Sequence, residues 1–285
     1  MGRNTIDKTG EENINNFGSE MLIVGYRTNK DIDVYFPEYD WVFEHTTYQK
    51  FKKGKIKCPY EPRVCGVGYI GEGKYKAKEN GKHSDEYIIW HHMLTRCYDP
   101  KFHEKRPTYD GCKVEDYLLN FQHTGEWIEN NYYEVPGEVM HLDKDILCKG
   151  NKVYSRKTCI FVPERINELF TKRDNARGKD PIGVDQLPSG NYQVRCWNGY
   201  GEQIYLGTHP TKEEAFQVYK NYKEKIIKEV IDSYEGEIPE PFYSRLTEAM
   251  YSYEVEIDDY MINKSGRVIS PRLIIIERRR LKCNS

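Results

Sequence analysis

The sequence predicts an α+β protein built from several small domains, and three observations carry that prediction. Apolar and polar residues alternate through "MLIVGYRTNKDIDVYF", the period of a half-buried strand. Apolar residues recur about every four positions in "SDEYIIWHHMLTRCY" and in "TKEEAFQVYKNYKEKIIKEVID", the period of an amphipathic helix. The chain has 285 residues, enough for two or three small domains with a core.

The elements follow in order. Residues 1–18 read as a flexible lead-in to a small β module ending near residue 80. In it Ile32, Val34 and Phe36 point one way, Asp31, Asp33 and Tyr35 the other, after an Asn-Lys turn. The glycine- and lysine-rich "GVGYIGEGKYKAKENGK" closes this module as a loop. A helix starts near Ser84, with a serine cap and acids in its first turn. A second helix is expected through "VEDYLLNFQHTGEWIEN" and a third through "VPERINELFTKR", completing a domain over 84–172. "DNARGKDP" is a polar linker. Residues 181–234 then read as three short strands and a helix, with turns at Pro188-Ser189-Gly190 and Asn198-Gly199. Thr211 and Glu214 form a capping box for that helix, whose stripe is Ala215, Tyr219, Tyr222, Ile226 and Val230. Residues 235–285 are acidic and then basic, with little periodicity.

Composition narrows the function classes. Apolar residues make up 38% and charged residues 31%, the mix of a globular chain with a very polar surface. No run approaches the roughly 18 apolar residues of a membrane span, and the polar start is no secretory signal, so a cytoplasmic location and no membrane partner are expected. The eight cysteines never fall two to four residues apart. That excludes a tight zinc knuckle, leaves open a zinc site built from distant cysteines, and favours buried free thiols over a disulfide framework. The net charge of −2 hides local extremes. "YQKFKKGKIK" and the tail "RVISPRLIIIERRRLK" are basic, and "DSYEGEIPEPFYSRLTEAMYSYEVEIDD" is acidic.

The stretch "HLDKDILCKGNKVYSRKTCIFVPERIN" places carboxylates, a Gly-Asn turn, an apolar run and a helix start bearing Asn167 in the order a small metal site needs. A hard cation takes carboxylate or amide oxygens, and a base must activate water. Asp143 and Asn167 meet if the hairpin folds back over "KGNKVYS". These residues resemble the ββα-metal core of HNH endonucleases, closest to the branch found in phages and mobile elements. "WHHMLTRCYDP" and "YDGCKVEDYLLNFQHTGEW" are similar to the segments preceding that core, so the resemblance spans roughly 84–172. It implies Asp143 and Asn167 as ligands of a divalent metal, Mg2+ or Mn2+. Two positions depart from the pattern: Lys144 stands where the histidine base follows the aspartate, and Thr158 where an asparagine precedes Cys159. A protonated lysine neutralises phosphate but takes no proton from water. His141 and Asp145, both two residues from Asp143, are the other candidate catalytic groups beside Lys144. His91 and His92 come from the helix before the core, and Asn151 reads as a turn former.

Residues 182–231 resemble the three-stranded, one-helix DNA-binding domain of plant APETALA2/ethylene-response factors, through Gly183-Val184, "SGNYQVRCW", "IYLGTH" and "TKEEAFQVYKNY". Strand alternation turns Tyr192, Val194 and Cys196 toward the helix. It leaves Gln193, Arg195, Trp197, Gln203 and Tyr205 on an outer face suited to a major groove. Lys52, Lys53 and Lys55 are candidate phosphate contacts, as is the basic tail. The expectation is a phage-type, DNA-binding HNH endonuclease of the homing or nicking kind acting on double-stranded DNA. Two alternatives stand beside it. One is a DNA-binding protein of the same ancestry that no longer cleaves. The other is a phage factor that binds a host protein through the acidic segment.

Overall fold

The alternating run folds as a four-stranded antiparallel meander in chain order: β1 (Glu12–Ile14), β2 (Glu20–Thr28), β3 (Asp31–Phe36) and β4 (Trp41–Thr46). In this computed structural model, residues 6–170 and 180–256 are described. They fall into two compact units, 1–130 and 131–285, and the boundary between them falls inside the block expected over 84–172. The inward residues of the meander are Met21, Ile23, Ile32, Val34 and Phe36, as the alternation requires, and Phe51 of α1 (Tyr48–Lys52), Ile56 and Cys58 close over them. The lead-in expected over 1–18 is shorter than predicted, because β1 lies in it and pairs with β2 from Glu12↔Leu22 to Ile14↔Glu20.

The rest of the first unit holds a short hairpin, β5 (Lys78–Glu79) with β6 (Lys82–His83), then α2 (Asp85–Tyr98), α3 (Pro100–Lys105), the two-residue β7 (Lys113–Val114) and α4 (Phe121–Asn131). Ser84 caps α2 as expected, its Oγ accepting from Tyr87 N at 3.3 Å. The buried face of α2 is Trp90, Met93, Leu94 and Cys97. The next helix starts later than its sequence pattern predicts. A 3-10 turn covers Asp116–Leu119, and Asn120 then accepts from Gln122 N at 2.9 Å to open α4 at Phe121. The segment expected as a loop over 66–82 is irregular as far as 77 and ends in the β5–β6 hairpin, and its start is packed. Gly68 lies against α2, where an added Cβ would stand 2.3 Å from Leu94 Cδ1 and 2.8 Å from Trp90 Cζ2.

The second unit begins with β8 (Met140–Asp143), β9 (Val153–Tyr154), β10 (Ile160–Pro163) and α5 (Glu164–Phe170). It continues with β11 (Val184–Gln186), β12 (Tyr192–Trp197), β13 (Gln203–His209), α6 (Lys212–Asp232) and α7 (Phe242–Tyr251). The sheet β11-β12-β13 is antiparallel and α6 packs across it, with Val184, Val194, Cys196, Ala215, Phe216 and Tyr219 in the core. Thr211 Oγ1 accepts from Glu214 N at 3.2 Å, the predicted cap. The region after 235, read from sequence as lacking periodicity, contains α7, which buries Leu246 and Met250. Beyond it Val255 is fully buried in the sheet–helix core, its N–H donating to Glu224 Oε1 at 2.8 Å. The linker "DNARGKDP" as far as Lys179, and the basic tail, lie outside the described residues.

Six cysteines are free thiols, and Cys58, Cys97, Cys112, Cys159 and Cys196 among them are buried, as expected. Cys148 corrects the free-thiol expectation, since it is disulfide-bonded. Among the described residues no helix is long and apolar enough to cross a membrane.

Lys223 is a cost within α6. It is 6% exposed, and burial pushes its ammonium below the usual lysine value. Because the unfolded chain then binds the proton more readily than the native one, stability rises as pH climbs toward 10.5. Lys223→Met is expected to stabilise the protein by about 1–2 kcal/mol at pH 7 and to flatten that alkaline rise. Urea titrations at pH 7 and pH 10 measure both effects, and a less stable Met variant at pH 7 would contradict the assignment.

Candidate functional site

β8 and β10 form an antiparallel pair in register Asp143↔Ile160, Leu142↔Phe161 and His141↔Val162. α5 follows β10 directly and packs on both strands, giving the strand–loop–strand–helix unit the sequence predicts. β10 is buried along its whole length, so its apolar run is the floor of the unit. Tyr133 Oη donates to Phe161 O at 2.7 Å.

The loop between the strands is held by its own polar side chains. Asn151 Nδ2 donates to Lys144 O at 2.6 Å and to Val153 O at 2.7 Å, while its Oδ1 accepts from Val153 N at 3.2 Å. Thr158 donates from Oγ1 to Val153 O at 3.0 Å. Both residues therefore shape the loop, and for Asn151 this matches the sequence expectation.

Asp143 closes β8. Its Oδ1 accepts from Asp145 N and Ile146 N, both at 2.7 Å, which turns the chain out of the strand. Asp145 therefore lies past the strand end and does not continue the face of His141 and Asp143. Burial, reinforced by the Asp145 charge, pushes the Asp143 carboxyl up to about 6. The two backbone donors and Lys144 pull the other way and do not overcome that. Lys144 is 8% exposed, with Nζ 3.2 Å from Asp145 Oδ2 and 5.9 Å from the Tyr154 ring centroid. His141 Nε2 is 3.8 Å from Oε1 of Glu164, the first residue of α5. Asn167 is half-buried one turn further along the helix. The unit thus gathers His141, Asp143, Lys144 and Asp145 around one strand end and carries Asn167 on the helix packed against that strand. His91 and His92 belong to α2 in the other unit, where burial lowers the His92 imidazole.

The three-stranded sheet presents its outer face as expected. Arg195 pairs with Tyr205, Trp197 with Gln203 and Gln193 with Thr208, around a bulge at Val194/Arg195. Arg195, Gln203 and Tyr205 are exposed, whereas Gln193 and Trp197 are half-buried. Two residues join this face that sequence reasoning did not single out. Thr208 bonds Tyr205 Oη at 2.7 Å, and Asp185 lies opposite Gln193 on β11. With Asp185 on the same face, Arg195 supplies a directed donor rather than a net positive field.

Of the lysines in "KFKKGKIK", Lys52 is already bonded to Glu11 Oε1 at 3.0 Å, and Lys53 and Lys55 are exposed. A different cluster in the first unit escaped the sequence reading. Asp31, Asp33 and His45 bring ligand-type atoms within 4.8 Å of one another. Arg27 lies among them, its Nε and Nη2 reaching Asp31 at 2.7 and 2.8 Å and its Nη1 and Nη2 reaching Asp33 at 2.7 and 2.6 Å. That guanidinium holds the Asp31 carboxyl well below the usual range. The first unit also has a cleft of about 510 Å³ whose charged and polar lining includes Glu72, Lys74, His123, Glu126 and Glu129, with Lys74 Nζ 2.6 Å from Glu129 Oε2.

No family model, curated protein or solved structure matches the chain.

Proposed function

We propose that the chain is a DNA-binding endonuclease of the HNH type that hydrolyses phosphodiester bonds with one divalent metal, Mg2+ or Mn2+. On this reading it is phage-encoded, acts in the cytoplasm as a homing or nicking enzyme, and reads double-stranded DNA with the outer face of β12 and β13. The observation that carries the proposal is the strand–loop–strand–helix unit with Asp143 at the end of its first strand and Asn167 on the helix packed against it.

The residues fit a hard cation. Oδ1 of Asp143 is committed to two backbone N–H groups, and Oδ2 takes no hydrogen bond from the described residues. The carboxyl also stands above its ordinary value through burial and the charge of Asp145, a penalty that a bound cation relieves. Asp143 and Asn167 would hold the metal, which when bound supplies an activated water and charge stabilisation at the phosphate. His141 is the group placed to take a proton, its Nε2 3.8 Å from Glu164 Oε1. Lys144 offsets negative charge through Asp145.

One observation favours a second reading, a DNA binder that does not cleave. Where the resemblance expects the base, the chain has a lysine already paired with a carboxylate, and an ammonium so paired accepts no proton.

The test is supercoiled plasmid incubated with the protein in magnesium, in manganese and in chelator, alongside a gel shift. Metal-dependent nicks that vanish in Asp143→Ala support the endonuclease. Retention without nicks supports the binder, and no retention at low salt defeats both. Within the same assay Arg195→Ala is expected to lose about 1–3 kcal/mol of discrimination between the preferred site and its variants. Lys53→Ala is expected to weaken binding evenly across sequences. Unchanged preference in Arg195→Ala would remove the sheet from the interface.

A further inference from the structure

We propose that Arg165 is a positioning residue that holds the β11–β13 sheet at one fixed offset from the Asp143 site, so that a bound sequence is nicked at a single distance from the bases it displays. The inference rests on the endonuclease reading above and adds to it where the cut falls.

Four residues from four separate pieces of chain meet at this point. Arg165 is in the first turn of α5. Its guanidinium carbon lies 5.3 Å from the Tyr200 ring centroid and 5.1 Å from that of Tyr234. Its Nη2 donates to Glu138 Oε1 at 2.7 Å, and Tyr234 Oη donates to the same oxygen at 2.7 Å. Glu138 lies just before β8 and Tyr234 just after α6, while Tyr200 sits in the turn joining β12 to β13. Two of the four therefore belong to the strand–loop–strand–helix unit and two to the sheet–helix unit. The Arg165 and Glu138 side chains are only 33% and 16% exposed, so the charges interact with reduced screening by water.

The lever is short. The turn bearing Tyr200 connects the strands that carry Arg195 and Tyr205, so a shift of Tyr200 is transmitted to the face that reads DNA. At the other end, α5 packs on β8, which ends in Asp143. A planar guanidinium can touch both rings and still donate to a carboxylate, whereas a lysine ammonium is a point charge and cannot do both. Other links between these regions include Arg245 Nη2 to Lys157 O at 3.0 Å and Lys149 Nζ to Glu254 O at 2.8 Å, which hold the loop of the β8–β10 unit. At the β12–β13 turn α5 also makes an apolar approach, since an added Cβ at Gly199 would stand 4.0 Å from Leu169 Cδ2, but Arg165 supplies the directed polar contact there.

The experiment compares wild type with Arg165→Ala and Arg165→Lys in two arms. In the first, amide exchange of the free protein is followed at Tyr200, Glu202 and the first turn of α5. Both regions are expected to exchange about tenfold faster in Arg165→Ala. Faster exchange in α5 alone means a packing role and overturns the proposal. In the second arm, nicks are mapped on a DNA fragment bearing one preferred site. Wild type is expected to cut at one position. Both variants are expected to keep affinity for the site and scatter their nicks over neighbouring positions. A single cut position in Arg165→Ala overturns the proposal. If wild type binds but never nicks, the endonuclease reading fails, and the exchange arm decides by itself whether Arg165 couples the two regions.

Discussion

Asp143→Asn is expected to abolish metal-dependent nicking and at the same time to stabilise the protein by about 2 kcal/mol at pH 8 in chelator. The two effects have one cause. The folded carboxyl titrates near 6 rather than 3.8, raised by burial and by the charge of Asp145. Between those values the native state holds a proton that the unfolded chain has lost. Native stability therefore falls as pH rises from 3.8 to about 6 and stays low above that. The asparagine keeps the oxygen that accepts from Asp145 N and Ile146 N and carries no charge, so its stability is flat across the same window. The variant and wild type should coincide near pH 4 and separate by pH 7, and partial exposure of the residue keeps the gap below the full value of the shift. Urea titrations from pH 4 to pH 8 measure this. An asparagine variant less stable than wild type at pH 8 would show that the charge is not a burden. At subsaturating metal, nicking by wild type should fall as pH drops through about 6, because protons and the cation compete for the Asp143 carboxyl.

Trp90→Ala is expected to cost about 3–5 kcal/mol, enough to unfold much of the first unit at room temperature. Trp90 is fully buried, lies against Phe121 at 5.3 Å between ring centroids, and donates from Nε1 to Leu118 O at 3.0 Å. Alanine loses the ring, leaves a cavity and removes one of the two donors to the Leu118 carbonyl, Thr124 Oγ1 remaining at 2.8 Å. Trp90→Phe keeps most of the bulk and should cost about 1–2 kcal/mol, chiefly the lost hydrogen bond. Urea unfolding followed by circular dichroism separates the two, and an alanine variant within 1 kcal/mol of wild type (about a fivefold change in the unfolding equilibrium) would refute the packing account.

These cases show which parts of the molecule the sequence made legible. The meander, α2 and the three-stranded sheet with α6 were readable because period and caps agreed: Ser84 and Thr211 cap the helices that the apolar stripes outline. The start of α4 was misplaced because Asn120, a side-chain cap, outweighs the helical pattern before it. α7 was missed because its buried face is only Leu246 and Met250, and because Val255 is buried by packing against α6 rather than by any local period. At the candidate site, residue types and order were visible, but two things were not. One is the turn of backbone at Asp143 that commits Oδ1 and places Asp145 off the strand. The other is the meeting of Glu138, Arg165, Tyr200 and Tyr234, which no spacing in the chain announces.

Arg27 gives the meander a positive charge that no reagent can strip away. A divalent ion held by Asp31, Asp33 and His45 would leave in EDTA, but a guanidinium tethered through its own backbone stays, and it keeps its proton across the working pH range. Chelation should therefore leave the N-terminal sheet's melting curve where it was, so that any response of the whole protein to EDTA reports on chemistry elsewhere in the chain.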